Sequence, residues 1–118
     1  EFLYADDLGD ACLFALEHWS ALSDDAPRSD SGEPLAFLNV GSGSEISIQK
    51  LAEKVATAVG FHGVIEWDTS KPDGTPRKQL DVSRLRDMGW EAQTLMTEGL
   101  PKAYSDFLNK MTIGTLRA

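Results

Sequence analysis

Residues 39–68, NVGSGSEISIQKLAEKVATAVGFHGVIEWD, decide the fold, because a clear helical pattern lies there between two short apolar runs. Ser47 is the predicted N-cap, since a serine hydroxyl accepts a hydrogen bond from the first helical turn, and Gly60 is the predicted C-terminal stop. The apolar positions between them recur every three or four residues on one helical face: Ile48, Leu51, Ala52, Val55 and Val59.

The runs on either side of this helix are predicted strands, at residues 35–40 and 63–68. A further strand is predicted at residues 78–82, after a turn at residues 72–74. Helices and strands that alternate in short units indicate an α/β layer structure, in which helices pack on short strands.

An amphipathic helix is also predicted at the start of the chain. Apolar residues recur at helical spacing between Asp6 and Trp19, and Asp6 or Asp7 is the predicted N-cap. Residues 21–34, ALSDDAPRSDSGEP, contain two prolines and no periodicity. They predict an exposed loop.

Two more helical segments follow the basic part of the chain. Residues 83–89 predict a short helical turn that ends at Gly89. Pro101 is tolerated only in the first turn of a helix, so the last helix should begin near Glu98. Residues 112–118 carry no predicted structure.

Composition limits the classes of function. The chain has 118 residues, a formal net charge of -8 and a pI of about 4.6, which disfavour nucleic acid and anionic membranes as partners. A lone cysteine and no membrane span or signal segment favour a single cytoplasmic domain. Because the chain begins without methionine, at Glu1, we expect it to be a piece of a longer protein.

Three possible catalytic, cofactor-binding or metal-binding features are weak. The glycines of residues 39–43, NVGSG, imitate a dinucleotide-binding loop, but Ile46 occupies the third glycine position. Cys12 lies on the apolar face of the first helix and is predicted to be a packing residue. His18 and His62 are too isolated to form a metal site or a catalytic pair.

The basic segment at residues 71–90, KPDGTPRKQLDVSRLRDMGW, is the strongest candidate for ligand binding. Its prolines restrict the backbone before Arg77 and Lys78. In a strand, Lys78 shares a face with apolar residues, and its compact ammonium suits phosphate oxygens. Composition alone favours the alternative that Lys71, Arg77 and Lys78 are merely solvated.

A family resemblance favours ligand binding by this basic segment over simple solvation of its side chains. The segments EFLYADDLGDAC, LNVGSGSEISIQKLAEKVATAVGF and DTSKPDGTPRKQLDVSRLRDMGW resemble the C-terminal part of the GDP-L-fucose synthases. These enzymes are extended short-chain dehydrogenases/reductases that epimerise GDP-4-keto-6-deoxymannose at C3 and C5 and reduce it at C4. The resemblance covers nearly the whole chain apart from residues 21–34 and the tail.

The resemblance implies roles for individual residues. NADP(H) is expected on an N-terminal Rossmann domain, and the GDP-sugar on a C-terminal α/β lobe that corresponds to residues 1–118. Lys78 matches the lysine that contacts the diphosphate, and Asp73, Gly74 and Arg77 should shape the rim of the pocket.

The catalytic residues are expected upstream of this chain. The chain alone should therefore be inactive and bind no cofactor, while the full-length enzyme should be a homodimer. The alternatives are a lobe of another nucleotide-sugar epimerase or dehydratase, and a non-catalytic interaction module.

Overall fold

The computed structural model describes residues 1–24 and 26–114. The described residues contain four helices: α1 (Ala5–His18), α2 (Ile48–Val59), α3 (Ser83–Asp87) and α4 (Met96–Thr112). The chain divides into two compact units. The first comprises residues 1–45 and 78–94, and the second comprises residues 46–77 together with those from 95 onward.

The core of the first unit is small and joins α1 to α3 and the residues that follow α3. Ala11 and Leu85 are each 1% exposed, and Trp90 is 6% exposed. Partly buried side chains complete this core: Phe14, Leu38, Val40 and Ala92. The segments that bear these residues are held together by burial of apolar surface.

The buried stripe of α1 differs from the predicted one. Asp7 and Ala11 are buried, and Phe14 and Ala15 are partly buried, at the spacing of a single helical face. Cys12 is exposed, so its predicted packing role is wrong. The apolar periodicity of α1 predicted the wrong buried face, because a polar residue, Asp7, belongs to the face that is buried.

The start of α1 also corrects a prediction. The N-cap is Tyr4, which makes no capping hydrogen bond through its side chain, and not Asp6 or Asp7. The N–H of Leu8 donates to the Tyr4 carbonyl oxygen at 3.2 Å, which begins the helix before both aspartates. Both aspartates lie in the first turn, where negative charge favours the helix dipole.

In the second unit, α2 confirms both of its predicted ends. The Ser47 hydroxyl accepts a hydrogen bond from the Lys50 N–H at 3.2 Å. Gly60 is left-handed, with φ of 69°, and its N–H donates to the carbonyl oxygens of Ala56 and Thr57. α2 packs against α4.

The last helix begins at Met96, so the predicted start near Glu98 is wrong. The Leu95 carbonyl oxygen accepts from the N–H groups of Glu98 at 2.9 Å and Gly99 at 2.8 Å, which forms one more turn. Pro101 then falls in the second turn, where its ring costs the helix one backbone hydrogen bond. The last four residues of the predicted tail at 112–118, residues 115–118, lie outside the described residues.

The predicted strands are not found. Within residues 1–24 and 26–114 the only bridge is a single antiparallel pair between Arg28 and Pro34. A strand requires a neighbour that completes its ladder of hydrogen bonds, and no ladder forms at residues 35–40, 63–68 or 78–82.

The turn predicted at residues 72–74 lies slightly earlier. The Lys71 N–H donates to the Asp68 carbonyl oxygen at 3.4 Å, and the Ser70 N–H donates to the Asp68 carboxylate at 3.0 Å. The Asp68 carboxylate forms this turn by accepting from the residue two positions on. Pro72 cannot donate a turn hydrogen bond of this kind, because it has no N–H. By contrast, the helical turn predicted at residues 83–89 is confirmed by α3 and by Gly89, whose φ is 104°.

Candidate functional site

A single carboxylate joins three distant parts of the first unit. Glu1 Oε1 accepts a hydrogen bond from the Gly43 N–H at 2.9 Å, and Glu1 Oε2 accepts one from the Leu80 N–H at 2.7 Å. The backbone nitrogen of Glu1 donates to the Lys78 carbonyl oxygen at 3.2 Å. We call Glu1 and its three bonds to Gly43, Leu80 and Lys78 the Glu1 bridge.

Two glycines make room for the Glu1 bridge. A Cβ on Gly41 would overlap the Glu1 carboxylate and approach Val82 Cγ1 to 3.1 Å. Gly43 is left-handed, with φ of 68°, which favours glycine and directs its N–H to Glu1. The glycine pair that imitates a dinucleotide loop therefore receives an anionic side chain of the same chain.

The bridge alters the acidity of Glu1. Partial burial raises the pKa of the Glu1 carboxyl. A larger combined effect lowers this pKa: it comes from hydrogen bonds from Leu80 and Gly43, the positive charge of the chain's amino group, and a hydrogen bond from Ser42. The net pKa lies below the usual 4.5. Glu1 is therefore ionised near neutral pH, when its hydrogen bonds are strongest.

Lys78, the predicted diphosphate ligand, is exposed and belongs to the first unit. Its carbonyl oxygen is held by Glu1, and the next side chain, Gln79, donates to the Gly43 carbonyl oxygen at 3.3 Å. Within residues 1–24 and 26–114, no carboxylate pairs with the Lys78 ammonium. A solvent-facing cation therefore projects from backbone that is held at Lys78 and at the residue after it.

The other three predicted site residues belong to the second unit. Asp73, Gly74 and Arg77 lie in an irregular segment whose residues are all exposed. Gly74 does not have a positive φ, and a Cβ there would meet no atom within 4 Å. No feature of its own backbone therefore requires glycine at this position.

Sequence reasoning missed two polar anchors that fix α1 in the first unit. Asp7, 8% exposed, accepts from the backbone N–H and from the hydroxyl of Thr94, each at 2.9 Å. Asp10 accepts from the Trp90 indole N–H at 2.8 Å. The available signal was the spacing of Asp7 and Ala11 on one helical face, but an aspartate in a buried stripe is uncommon.

The side chain of His18 makes its contacts within its own helix. His18 stacks on Phe14, with ring centroids 4.4 Å apart, and Nδ1 of His18 lies 3.0 Å from the Phe14 carbonyl oxygen. Residues 1–24 and 26–114 hold no group of three or more potential metal-ligating side chains. In the same part of the chain, every helix is too short or too polar to cross a bilayer.

Comparison with known proteins gives the class of this chain. It has a TM-score of 0.78 and 28% identity to a GDP-6-OMe-4-keto-L-xylo-heptose reductase from C. jejuni, covering 93% of this chain and 31% of that one. A GDP-mannoheptose C4 reductase from Campylobacter jejuni with NADP bound gives a TM-score of 0.71 at 25% identity, with coverage of 92% and 31%. The fold is therefore that of one part of a GDP-sugar reductase.

A curated relative is more similar in sequence than these two structures. The probable GDP-L-fucose synthase 1 of Oryza sativa subsp. japonica is 43% identical over 111 residues, which are 94% of this chain and 30% of the relative. No family model matches the chain. The chain is similar to the C-terminal portion of GDP-L-fucose synthase-like short-chain dehydrogenases/reductases, and it spans about a third of the length of the curated relatives it matches.

Proposed function

We propose that this chain is the substrate-binding part of an NADP-dependent GDP-L-fucose synthase. The full enzyme would convert GDP-4-keto-6-deoxy-D-mannose to GDP-L-fucose by epimerisation at C3 and C5 and reduction at C4. Its cytoplasmic location and homodimeric state remain predictions from composition and family resemblance. GDP-sugars recur in the names of the rice relative and both C. jejuni structures, which supports the guanine nucleotide over other nucleotides.

The observation that carries the proposal is the exposed Lys78 ammonium, which pairs with no carboxylate in the described part of the chain and stands on backbone held by Glu1. A diphosphate presents several anionic oxygens, and a lysine ammonium offers three donors that adapt to them. The net charge of -8 would otherwise repel such a ligand. A local cation is therefore needed where the diphosphate binds.

We assign supporting roles in GDP-sugar binding to Asp73, Gly74 and Arg77, as the family resemblance implies. Their exposure makes them accessible to a ligand. Arg77 adds a second cation next to Lys78 in sequence, and a guanidinium can bind phosphate oxygens in pairs.

NADP(H), which supplies the hydride when bound, is assigned to the rest of the enzyme. The glycine turn at residues 41–43 does not fit the cofactor's pyrophosphate. Its Gly43 N–H already donates to the Glu1 carboxylate, whose negative charge repels another anion. The catalytic groups are likewise assigned upstream, so this chain's share of the reaction is to bind and orient the GDP-sugar.

Titration of the chain with GDP, followed by amide NMR, tests the binding role. The amides of residues 78–81 should shift on addition of GDP, and less with UDP. Lys78→Ala should weaken binding about tenfold or more, because a hydrogen bond to a charged group contributes about 1.5–3 kcal/mol. Lys54→Ala is the matched control, since it removes an exposed lysine from α2.

Equal losses in the two lysine variants, or tighter binding of UDP than of GDP, would contradict the proposal. In the full-length enzyme, Lys78→Ala should raise KM for the GDP-sugar and leave KM for NADPH unchanged. An unchanged KM for the GDP-sugar would exclude Lys78 as its ligand.

A further inference from the structure

We propose that Glu1 is a positioning residue for the GDP-sugar: the Glu1 bridge holds the backbone that presents Lys78 to the diphosphate. This inference rests on the proposed function. Glu1 does not contact the ligand in this scheme. It acts through the backbone of residues 78–80.

The bonds of the bridge hold the backbone at Lys78 and directly after it. The backbone nitrogen of Glu1 holds the Lys78 carbonyl oxygen at 3.2 Å, and Glu1 Oε2 holds the Leu80 N–H at 2.7 Å. One residue therefore fixes two peptide groups within three positions of the chain. Because no strand ladder forms at residues 78–82, these bonds replace the support that a sheet would give.

The other carboxylate oxygen ties the same backbone to the glycine turn. Glu1 Oε1 accepts from the Gly43 N–H at 2.9 Å, and Gln79 Nε2 donates to the Gly43 carbonyl oxygen at 3.3 Å. The turn is thus bonded twice to the Lys78 segment, once through Glu1 and once through Gln79. Backbone that is already held in this way has less freedom to lose when the ligand binds, which lowers the entropic cost of binding.

The bridge requires a carboxylate of this length. Glutamine would place an NH2 group against one of two N–H donors, so one hydrogen bond would be lost. Aspartate is one methylene shorter and would not span the same two donors. Gly41 adds a further constraint, since a Cβ there would overlap the carboxylate.

The sign of the effect separates positioning from simple charge. Removal of a negative charge from the first unit should tighten the binding of an anion if Glu1 acts only through its electric field. If Glu1 holds the Lys78 backbone, Glu1→Gln should weaken binding instead. The matched control is Glu17→Gln, which removes an exposed carboxylate from α1.

The experiment is steady-state kinetics of the full-length protein with Glu1→Gln, Glu17→Gln, Lys78→Ala and the Glu1→Gln/Lys78→Ala double variant. Glu1→Gln should raise KM for the GDP-sugar about fivefold, the usual cost of one lost hydrogen bond, and leave kcat and KM for NADPH unchanged. Glu17→Gln should leave all three unchanged. The double variant should be no weaker than Lys78→Ala, because Glu1 acts only through Lys78.

The outcomes separate this inference from the proposed function. If Lys78→Ala has no effect on KM, the proposed function fails. If Lys78→Ala raises KM but Glu1→Gln lowers it or leaves it unchanged, the positioning role is overturned while the proposed function stands. Additive effects in the double variant also overturn it.

A second measurement needs no variant and covers the case in which Glu1→Gln does not fold. On saturation of the unaltered protein with GDP, hydrogen exchange at the Gly43 and Leu80 amides should slow about fivefold, because ligand at Lys78 and the bridge stabilise the same backbone. Unchanged exchange at these two amides, with GDP bound at Lys78, overturns the inference.

Discussion

The two units differ in how they are held together. The buried hydrophobic side chains among the described residues all belong to the first unit: Ala11, Ala26, Leu35, Leu85 and Trp90. Side-chain bonds in that unit reach far along the chain, as from Trp90 to Asp10 or from Leu80 to Glu1. In the second unit, bonds such as those between Ser47 and Lys50 join residues a few positions apart.

Large apolar side chains are exposed in both units, but among the described residues the second unit buries no hydrophobic side chain. Ile48 on α2 is 63% exposed and Met111 on α4 is 55% exposed, although each lies on the apolar stripe of its helix. The first unit is therefore stabilised by non-local packing and hydrogen bonds, whereas the second depends more on local helix signals. Substitutions of the same kind should consequently have unequal effects in the two units.

The largest expected effect comes from truncation of the same residue type in each unit. Leu85→Ala empties a position that is 1% exposed and should lower the free energy of unfolding by about 3 kcal/mol. Leu108→Ala, at a position 44% exposed on α4, should cost about 1 kcal/mol or less. Urea denaturation followed by circular dichroism measures both, and equal losses would break the comparison between the units.

A pair of glycines gives a smaller contrast. Gly41→Ala in the first unit should displace the Glu1 carboxylate and cost about 1–2 kcal/mol, because the bonds to Gly43 and Leu80 are weakened. Gly74→Ala in the second unit meets open space without a positive φ and should be neutral or slightly stabilising. The same denaturation experiment compares them, and a greater loss for Gly74→Ala would refute this account of the glycine turn.

The same division explains how much the sequence could predict. The ends of α2 are encoded by Ser47 and Gly60, which act on neighbouring peptide groups, and both predictions are confirmed. The strands depend on partners elsewhere in the chain, and no partner completes them within the described residues. In α1, the buried stripe depends on the bond between Asp7 and Thr94, which are 87 positions apart.

In the candidate site, too, features that depend on distant residues could not be predicted from local sequence. Lys78 was identified through family resemblance, and its role in binding stays a prediction. Glu1 escaped notice because its carboxylate bonds span 42 and 79 positions, and no local pattern marks a carboxylate that will meet distant N–H groups. Ile46 argued against a dinucleotide loop at the glycine turn, and that stays a prediction; the bond between this turn and Glu1 could not be read from the sequence.

The smallest expected effect is a dependence on pH that is specific to the first unit. The folded-state pKa of Glu1 lies below 4.5, so the stabilisation by its ionised form is fully present above pH 4.5 and is lost as pH falls through the folded-state pKa. Glu1→Gln should therefore destabilise the protein at pH 6, and the difference from the unaltered protein should shrink as pH falls from 4.5 toward 3. Urea denaturation over this range measures the difference.

Other carboxyls do not obscure this test, because they contribute equally to both proteins. The pKa of Asp81 is lowered chiefly by its side-chain hydrogen bond with Ser83, and that of Asp68 chiefly by its side-chain hydrogen bond with Ser70. Both groups make stability fall in acid, but neither depends on the Glu1 side chain. A difference between Glu1→Gln and the unaltered protein that stays constant from pH 6 to 3 would mean that Glu1 stabilises the first unit without its charge.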